Sequence, residues 1–313
     1  MSVAFVFPGQ GSQQAGMGRA LFEAFPESRA VFEEADRVLG FPLSRLCFEG
    51  PDAELQLTAN TQPAVLATSV AALRPLLARG ARASCVAGHS LGEYSAMVAA
   101  GALSFADALV TVRRRGQYMQ EAVPVGMGAM AAILALELPL VEQACCEAAE
   151  GEVVSPANVN SPGQVVIAGH TAAVGRAIER CRAKGAKRAV LLPVSAPFHC
   201  ALMRPAQERL EQDLRSVDFL PPERPLVNNV DARLVRSAEE CREGLVRQVS
   251  GSVLWQQSVE RMAGEGVTTF VEVGPGTVLS GLVKKTAKTA RTLSVDSPES
   301  LESALAALAE PGQ

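Results

Sequence analysis

Gly88-His89-Ser90-Leu91-Gly92 sets a serine between two glycines at a point where the hydrophobic pattern changes period. Upstream, Ala83-Ser84-Cys85-Val86-Ala87 reads as a short apolar strand, and Glu93 to Ala100 reads as the start of a helix. A G-x-S-x-G segment at such a junction makes a tight elbow: the glycines permit close backbone approach, and the serine Oγ is lifted clear of the sheet. Amide N–H groups at the start of the following helix then face any oxyanion that develops beside that serine. The same five-residue pattern also arises by chance in loops, so the flanking strand and helix are what make Ser90 a candidate nucleophile.

A serine hydroxyl needs a general base, usually histidine. The chain has three histidines. His89 adjoins the serine, and neighbouring side chains at a sharp turn diverge. His170 lies in Gly169-His170-Thr171, at the start of a helix, where a surface role is expected. His199, in Ala196-Pro197-Phe198-His199-Cys200, is left as the candidate base.

Arg115 is the next residue with chemical potential. Between Ser104 and Glu121, Phe105, Ala108, Leu109, Val112, Gly116 and Met119 form one apolar stripe at helical spacing. Arg114 falls opposite that stripe and Arg113 beside it, whereas Arg115 falls on its inner flank. A guanidinium there requires a partner or a cavity. It is either a structural ion pair, a side chain snorkelling to solvent, or a two-pronged clamp for a substrate carboxylate. The loop Pro8-Gly9-Gln10-Gly11-Ser12-Gln13 follows the apolar run Val3–Phe7. It lacks the third glycine of a dinucleotide fingerprint and the lysine of a phosphate loop, so nucleotide binding is weakly supported. At the carboxyl end of a strand it would instead deliver Gln10 to an active-site crevice.

The elements that must hold these groups alternate in type. Val3–Phe7 reads as a buried strand, followed by helical patterns over Leu21–Leu39 and Pro63–Leu77, the elbow, and a helix with Ser104 as N-cap. This order predicts an α/β fold with a largely parallel sheet. After Pro124 the pattern changes: strand Ala129–Leu134, helix Pro139–Ala149, strand Val153–Asn158, turn Asn160–Gly163, and strand Gln164–Ala168. A helix capped by Thr171 and running through Ala183 follows, then strand Ala189–Val194. This β-α-β-β-α-β order is that of a ferredoxin-like unit. Residues 124–195 are therefore expected to form an inserted ferredoxin-like subdomain, with residues 1–123 and 196–313 forming the larger α/β body. The larger fold resumes near Ser195 and includes a late strand, Thr269–Val273, ahead of Gly274-Pro275-Gly276.

Composition narrows the classes. The 313 residues are 48% hydrophobic and 20% charged, the balance of a globular protein with a substantial core. A net charge of −4 gives no hint of nucleic-acid binding. No apolar run reaches membrane-spanning length, and Met1-Ser2-Val3-Ala4-Phe5 lacks the features of a secretion signal. Seven cysteines, none in a C-x-x-C pair and two adjacent at Cys145-Cys146, suit reduced thiols in the cytoplasm rather than disulfides or a metal site.

Taken in order, Phe7-Pro8-Gly9-Gln10-Gly11-Ser12-Gln13, the Gly88–Gly92 elbow with Glu93-Tyr94, Arg115-Gly116 with Met119-Gln120, Asn160-Ser161-Pro162-Gly163-Gln164, Phe198-His199 and Glu272-Val273-Gly274-Pro275-Gly276 resemble the malonyl-CoA:acyl carrier protein transacylases over essentially the whole chain. The resemblance implies an α/β-hydrolase-like large subdomain carrying the ferredoxin-like small one. It implies Ser90 as acyl acceptor, His199 as base, Arg115 as clamp for the malonyl carboxylate, and Gln10 with the Leu91 amide as oxyanion hole. In the family a main-chain carbonyl orients the histidine, and by motif match this carbonyl belongs to Gln248 in Val246-Arg247-Gln248. The position before the histidine varies in the family, with Phe198 among the common choices.

The expected reaction is a ping-pong transfer of malonyl from coenzyme A to the phosphopantetheine thiol of acyl carrier protein, without metal or redox cofactor. A monomer is expected, with no nucleic-acid or membrane partner. Three other readings fit part of the pattern. One is a serine acyl hydrolase that clears acyl carrier proteins and has no need of Arg115. Another is a polyketide-synthase acyltransferase using a different extender unit. The third is a non-catalytic docking domain that keeps the fold.

Overall fold

The coordinates are a computed structural model that describes residues 2–194 and 196–309. Strand β1 (Val3–Phe7) leads into helices α1 (Arg19–Ala24), α2 (Pro26–Leu39), α3 (Leu43–Glu49), α4 (Asp52–Leu55) and α5 (Thr58–Ala78). Strand β2 (Cys85–Gly88) is followed by α6 (Gly92–Ala99) and α7 (Phe105–Glu121). Next come β3 (Gly128–Leu134), α8 (Leu138–Ala149), β4 (Val154–Ser161), β5 (Gln164–His170), α9 (Thr171–Ala183) and β6 (Arg188–Leu191). The chain then forms α10 (Arg204–Leu214), β7 (Leu226–Val227), β8 (Leu234–Val235), α11 (Ala238–Gln248) and α12 (Trp255–Gly264). It ends with β9 (Thr269–Val273), α13 (Val278–Thr286), β10 (Arg291–Val295) and α14 (Pro298–Ala309).

Among the described residues the strands form a six-stranded sheet, β10-β9-β1-β2-β7-β8, and a four-stranded sheet, β4-β5-β3-β6. The larger sheet is parallel apart from β8, which returns antiparallel to β7. Strands β1 and β9 are buried along their whole length, as the apolar run Val3–Phe7 requires of a strand covered on both faces, and β9 buries Glu272, which accepts from the Leu279 and Ser280 N–H groups. The smaller sheet is antiparallel throughout, and α8 and α9 pack together over it on their own apolar cluster. Met130, Val166 and Ala168 from this sheet belong to the main core, which ties the two sheets together. The backbone bridge between Val253 and the Ala157–Val159 stretch joins them a second time. No helix of the described residues is long and apolar enough to cross a membrane.

Several local expectations are corrected. The Leu21–Leu39 pattern is two helices, parted at Phe25, whose extended backbone lets Pro26 open the second at a position that needs no N–H. The helix expected to start at Pro63 starts at Thr58 and carries Pro63 and Pro75 within it. Burial nearly all round this helix outweighs the missing proline donors. Thr171 is the first helical residue rather than the cap, and its hydroxyl donates to the Gly126 carbonyl at 2.8 Å. The strand after Glu152 runs on to Ser161, so Pro162-Gly163 alone makes the turn, with Gly163 at φ 68°. Strand β6 ends at Leu191, short of the expected Val194, because Pro193 cannot donate to a ladder. The expected return point Ser195 lies outside the described residues.

Candidate active site

Strand β2 and helix α6 are joined by the three residues His89, Ser90 and Leu91. Ser90 sits at φ 52°, in the left-handed region that a non-glycine residue enters only under constraint. The constraint is visible on both sides of it. A Cβ on Gly88 would overlap the Gly92 carbonyl, and one on Gly92 would overlap the Phe7 carbonyl. Asn229, after β7, braces the elbow further: its Oδ1 accepts from the Ser90 N–H at 2.7 Å and its Nδ2 donates to the Gly88 carbonyl at 2.7 Å.

His199 Nε2 lies 2.7 Å from Ser90 Oγ. On its other side, Nδ1 lies 2.9 Å from the main-chain carbonyl of Gln248. A carbonyl only accepts, so Nδ1 carries the proton and the Nε2 lone pair faces the serine. The ring is 4% exposed, and burial, with Arg115 adding to it, pushes its pKa down to about 3. It is therefore neutral, with its Nε2 lone pair directed at the Ser90 hydroxyl.

Arg115 is 2% exposed and reaches the same point from α7, whose start is capped as expected by Ser104 Oγ accepting from the Asp107 N–H at 3.0 Å. Its Nη1 donates to Gln62 Oε1 at 2.8 Å, and its Nη2 donates to Gln248 Oε1 at 2.9 Å and to Ser90 Oγ at 3.2 Å. Among the described residues no carboxylate forms an ion pair with it, and its buried Nε has no acceptor. The alternatives of a structural ion pair and of snorkelling are thereby set aside. Its neighbours behave as their angles predict: Arg114 pairs with Asp213 at 3.2 Å, and Arg113 lies over the Phe41 ring.

These groups line a cavity of about 140 Å³ that also touches Gln10, Leu91, Met119, Met130, Leu192, Val194 and Phe198. The backbone N–H groups of Gln10 and Leu91 have no protein acceptor among the described residues, while the Gln10 side chain donates to Thr58 Oγ1 at 3.4 Å. The other two histidines are occupied elsewhere. His89 Nε2 lies 2.8 Å from Asn160 Oδ1, and His170 Nδ1 accepts from the Val153 N–H at 2.9 Å.

Sequence reasoning missed Gln62, Asn229 and the buried role of Glu93. Glu93 has no exposed surface, and burial raises its carboxyl to about 7 against the lowering effect of its donors Gln248 and Asn229. A helical polar residue on an otherwise apolar face was the available signal for Gln62, as it was for Arg115. Asn229 sits in a loop with no period to betray it.

Comparison with known proteins identifies the family. The family model of the acyl transferase domain matches residues 4–302. The malonyl CoA-acyl carrier protein transacylase of Escherichia coli (strain K12) is 53% identical over 283 residues, covering 90% of this chain and 92% of the relative. That of Bacillus subtilis (strain 168) is 49% identical over 284 residues, 90% of each chain. A crystal structure of an acyl carrier protein S-malonyltransferase from Vibrio cholerae superposes with a TM-score of 0.96 at 47% identity, covering 97% of this chain and 100% of its own. A malonyl-transacylase solved in complex with a type II PKS acyl-carrier protein gives 0.96 at 49% identity, covering 98% and 100%. The chain belongs to the malonyl CoA-acyl carrier protein transacylases of the acyl transferase domain family.

Proposed function

We propose that this protein moves a malonyl group from malonyl-CoA to the phosphopantetheine thiol of an acyl carrier protein through an ester on Ser90. One observation carries the reading: Ser90 Oγ lies 2.7 Å from a neutral imidazole and 3.2 Å from a buried guanidinium that has no carboxylate partner among the described residues. A hydrolase acting on simple acyl groups would need the first and not the second.

In the first half-reaction His199 Nε2 takes the Ser90 proton while Oγ attacks the thioester carbonyl. The oxyanion is held by the Leu91 amide together with Gln10, a role supported by their place on the cavity and their unengaged N–H groups. Collapse breaks the C–S bond, and the departing coenzyme A sulfur takes the proton back from His199. The second half-reaction runs in reverse with the carrier thiol: His199 takes its proton, the sulfur attacks the ester, and Ser90 Oγ leaves with the proton. Arg115 pairs with the free carboxylate throughout, and the Gln248 carbonyl stabilises the imidazolium as aspartate does in a triad. Each proton removed is returned within the cycle, so we read it as needing no metal or redox cofactor.

We read the larger body as α/β-hydrolase-like, supported by the parallel sheet with the elbow at its centre. Residues 124–195 form a ferredoxin-like inserted subdomain in this reading, supported by the strand order β4-β5-β3-β6. The seven free thiols fit a cytoplasmic enzyme. The test is intact-protein mass spectrometry after incubation with malonyl-CoA and then with carrier protein. A malonyl mass should appear, depend on Ser90, and leave on adding carrier rather than water. An adduct that survives Ser90→Ala, or that maps to Cys85 or Cys200, rules the assignment out.

A further inference from the structure

Glu93 is the second residue of α6, fully buried, and its carboxyl forms no hydrogen bond with Ser90 Oγ or His199 among the described residues. Its Oε2 accepts from Gln248 Nε2 at 2.8 Å and from the Asn229 N–H at 2.9 Å. Gln248 Nε2 also donates to the Ser90 carbonyl at 2.9 Å. With two acceptors in front of it, that end of the amide must be its NH₂ end. The oxygen is then the end that meets Arg115 Nη2, at 2.9 Å. The reverse orientation would press oxygen against a carboxylate and turn NH₂ toward a guanidinium. A carboxylate three residues past the nucleophile thus fixes which way Gln248 points, and Gln248 in turn holds Arg115.

We propose that Glu93 is a positioning residue for carboxylate recognition: acting through the Gln248 amide, it sets the Arg115 guanidinium that selects substrates bearing a free acid. The inference rests on the reading of Arg115 given under the proposed function. A purely structural acid at this place would support the loop after β7 and the elbow alike, and its loss would slow every acyl group equally. A positioning acid changes the ratio between malonyl and acetyl.

The experiment measures Ser90 acylation by malonyl-CoA and by acetyl-CoA in the wild-type protein, Glu93→Ala, Glu93→Gln, Gln248→Ala and the Glu93→Ala/Gln248→Ala double variant. Thermal melting and fluorophosphonate labelling of Ser90 check that each protein is folded. Glu93→Ala should lower the malonyl-to-acetyl ratio about tenfold, within the range of coupling through a shared hydrogen-bonded partner. Glu93→Gln should restore most of it, since an amide oxygen can still accept from Gln248 and Asn229. In the Gln248→Ala background the further change of Glu93 to Ala should leave the ratio where it was. Equal slowing of both acyl groups, or the same ratio change with and without Gln248, overturns the proposal. Should alanine at this buried site prevent folding, Glu93→Met fills the space without an acceptor. Gln248→Ala alone also decides, because a wild-type ratio there overturns the proposal. Equal transfer of both acyl groups by the wild-type protein would count against the function itself. Wild-type selectivity that survives every variant counts against this inference alone.

Discussion

The two walls of the cavity differ in kind. The larger body contributes the hydroxyl of Ser90, the imidazoles of His199 and His89, the guanidinium of Arg115 and the amides of Gln62 and Gln10, alongside the apolar Leu91, Met119 and Phe198. The four-stranded sheet and the chain leaving it contribute the apolar Met130, Leu192 and Val194 and a single amide, Asn158. On the polar wall each group is tied to a second: His199 to the Gln248 carbonyl, Arg115 to Gln62 and Gln248, the Ser90 backbone to Asn229. Such ties fix geometry before substrate arrives, which is what electrostatic catalysis requires. Among the described residues the side chains of the apolar wall form no comparable bonds, and that wall contributes shape and exclusion of water. The contrast teaches that chemistry is concentrated on one wall, and substitutions on the two should differ accordingly.

The largest effect should come from His199→Ala. General-base catalysis contributes about 10²–10⁴-fold, so acylation by every acyl-CoA should fall by that order. No single Asp or Glu substitution that leaves the fold intact should match it, because a carbonyl and not a carboxylate orients the ring. A carboxylate variant that did match it, measured by burst acylation, would replace this account with a conventional triad.

Arg115→Ala comes next and divides the polar wall by substrate. Removing one partner of a desolvated charged pair costs on the order of 2–5 kcal/mol, and that loss should fall on malonyl-CoA. Acetyl-CoA has no carboxylate, so its turnover should fall little or even rise once a buried unpaired cation is gone. Arg115→Lys should rescue malonyl only in part, since an ammonium keeps the charge without the fork. Equal losses for the two acyl groups would make Arg115 structural.

The pH profile should be flatter than that of a solvent-exposed histidine. His199 is held at about 3 instead of 6.5, so it stays neutral and basic catalysis persists well into acid. Fluorophosphonate labelling of Ser90 should hold its rate from about pH 8 to about pH 5. A decline centred near 6.5 would show an ordinary histidine. The same depressed pKa bears on stability, and the sign follows from which state binds the proton. The unfolded chain takes it up near 6.5 and the folded one only near 3, so this contribution is complete above 6.5 and is lost as pH falls toward 3.

The smallest effect belongs to the apolar wall. Met130→Leu conserves volume, a change that usually costs less than about 1.5 kcal/mol, so malonyl acylation should fall less than about tenfold. A loss as large as that of Arg115→Ala would erase the distinction between the walls.

Local features were legible where a few consecutive residues carry the physics. The helix capped by Ser104, strands β1 and β9, and the Gly88–Gly92 elbow come out where pattern and turn chemistry put them. Helix α5 shows the opposite case. Pro63 reads as a beginning because proline is costly inside a helix, yet five residues before it are helical since the whole segment is buried against α2 and α7. Thr171 resembles a cap by residue type, but its hydroxyl finds the Gly126 carbonyl, a partner 45 positions away.

The same division separates the nucleophile from its surroundings. A strand, two glycines and a helix specify the elbow, because steric exclusion of side chains acts between neighbours. The stripe on α7 could place Arg115 on the buried side, though not beside Ser90. Tertiary structure alone brought His199 to the serine across 109 positions, Gln248 to its carbonyl across 158, and Asn229 to its amide across 139. Hydrogen bonds between distant residues leave no period in the chain, so Glu93 and Asn229 could be assigned only once the core had closed around them, and the helical position of Gln62 marks it as buried without naming its partner.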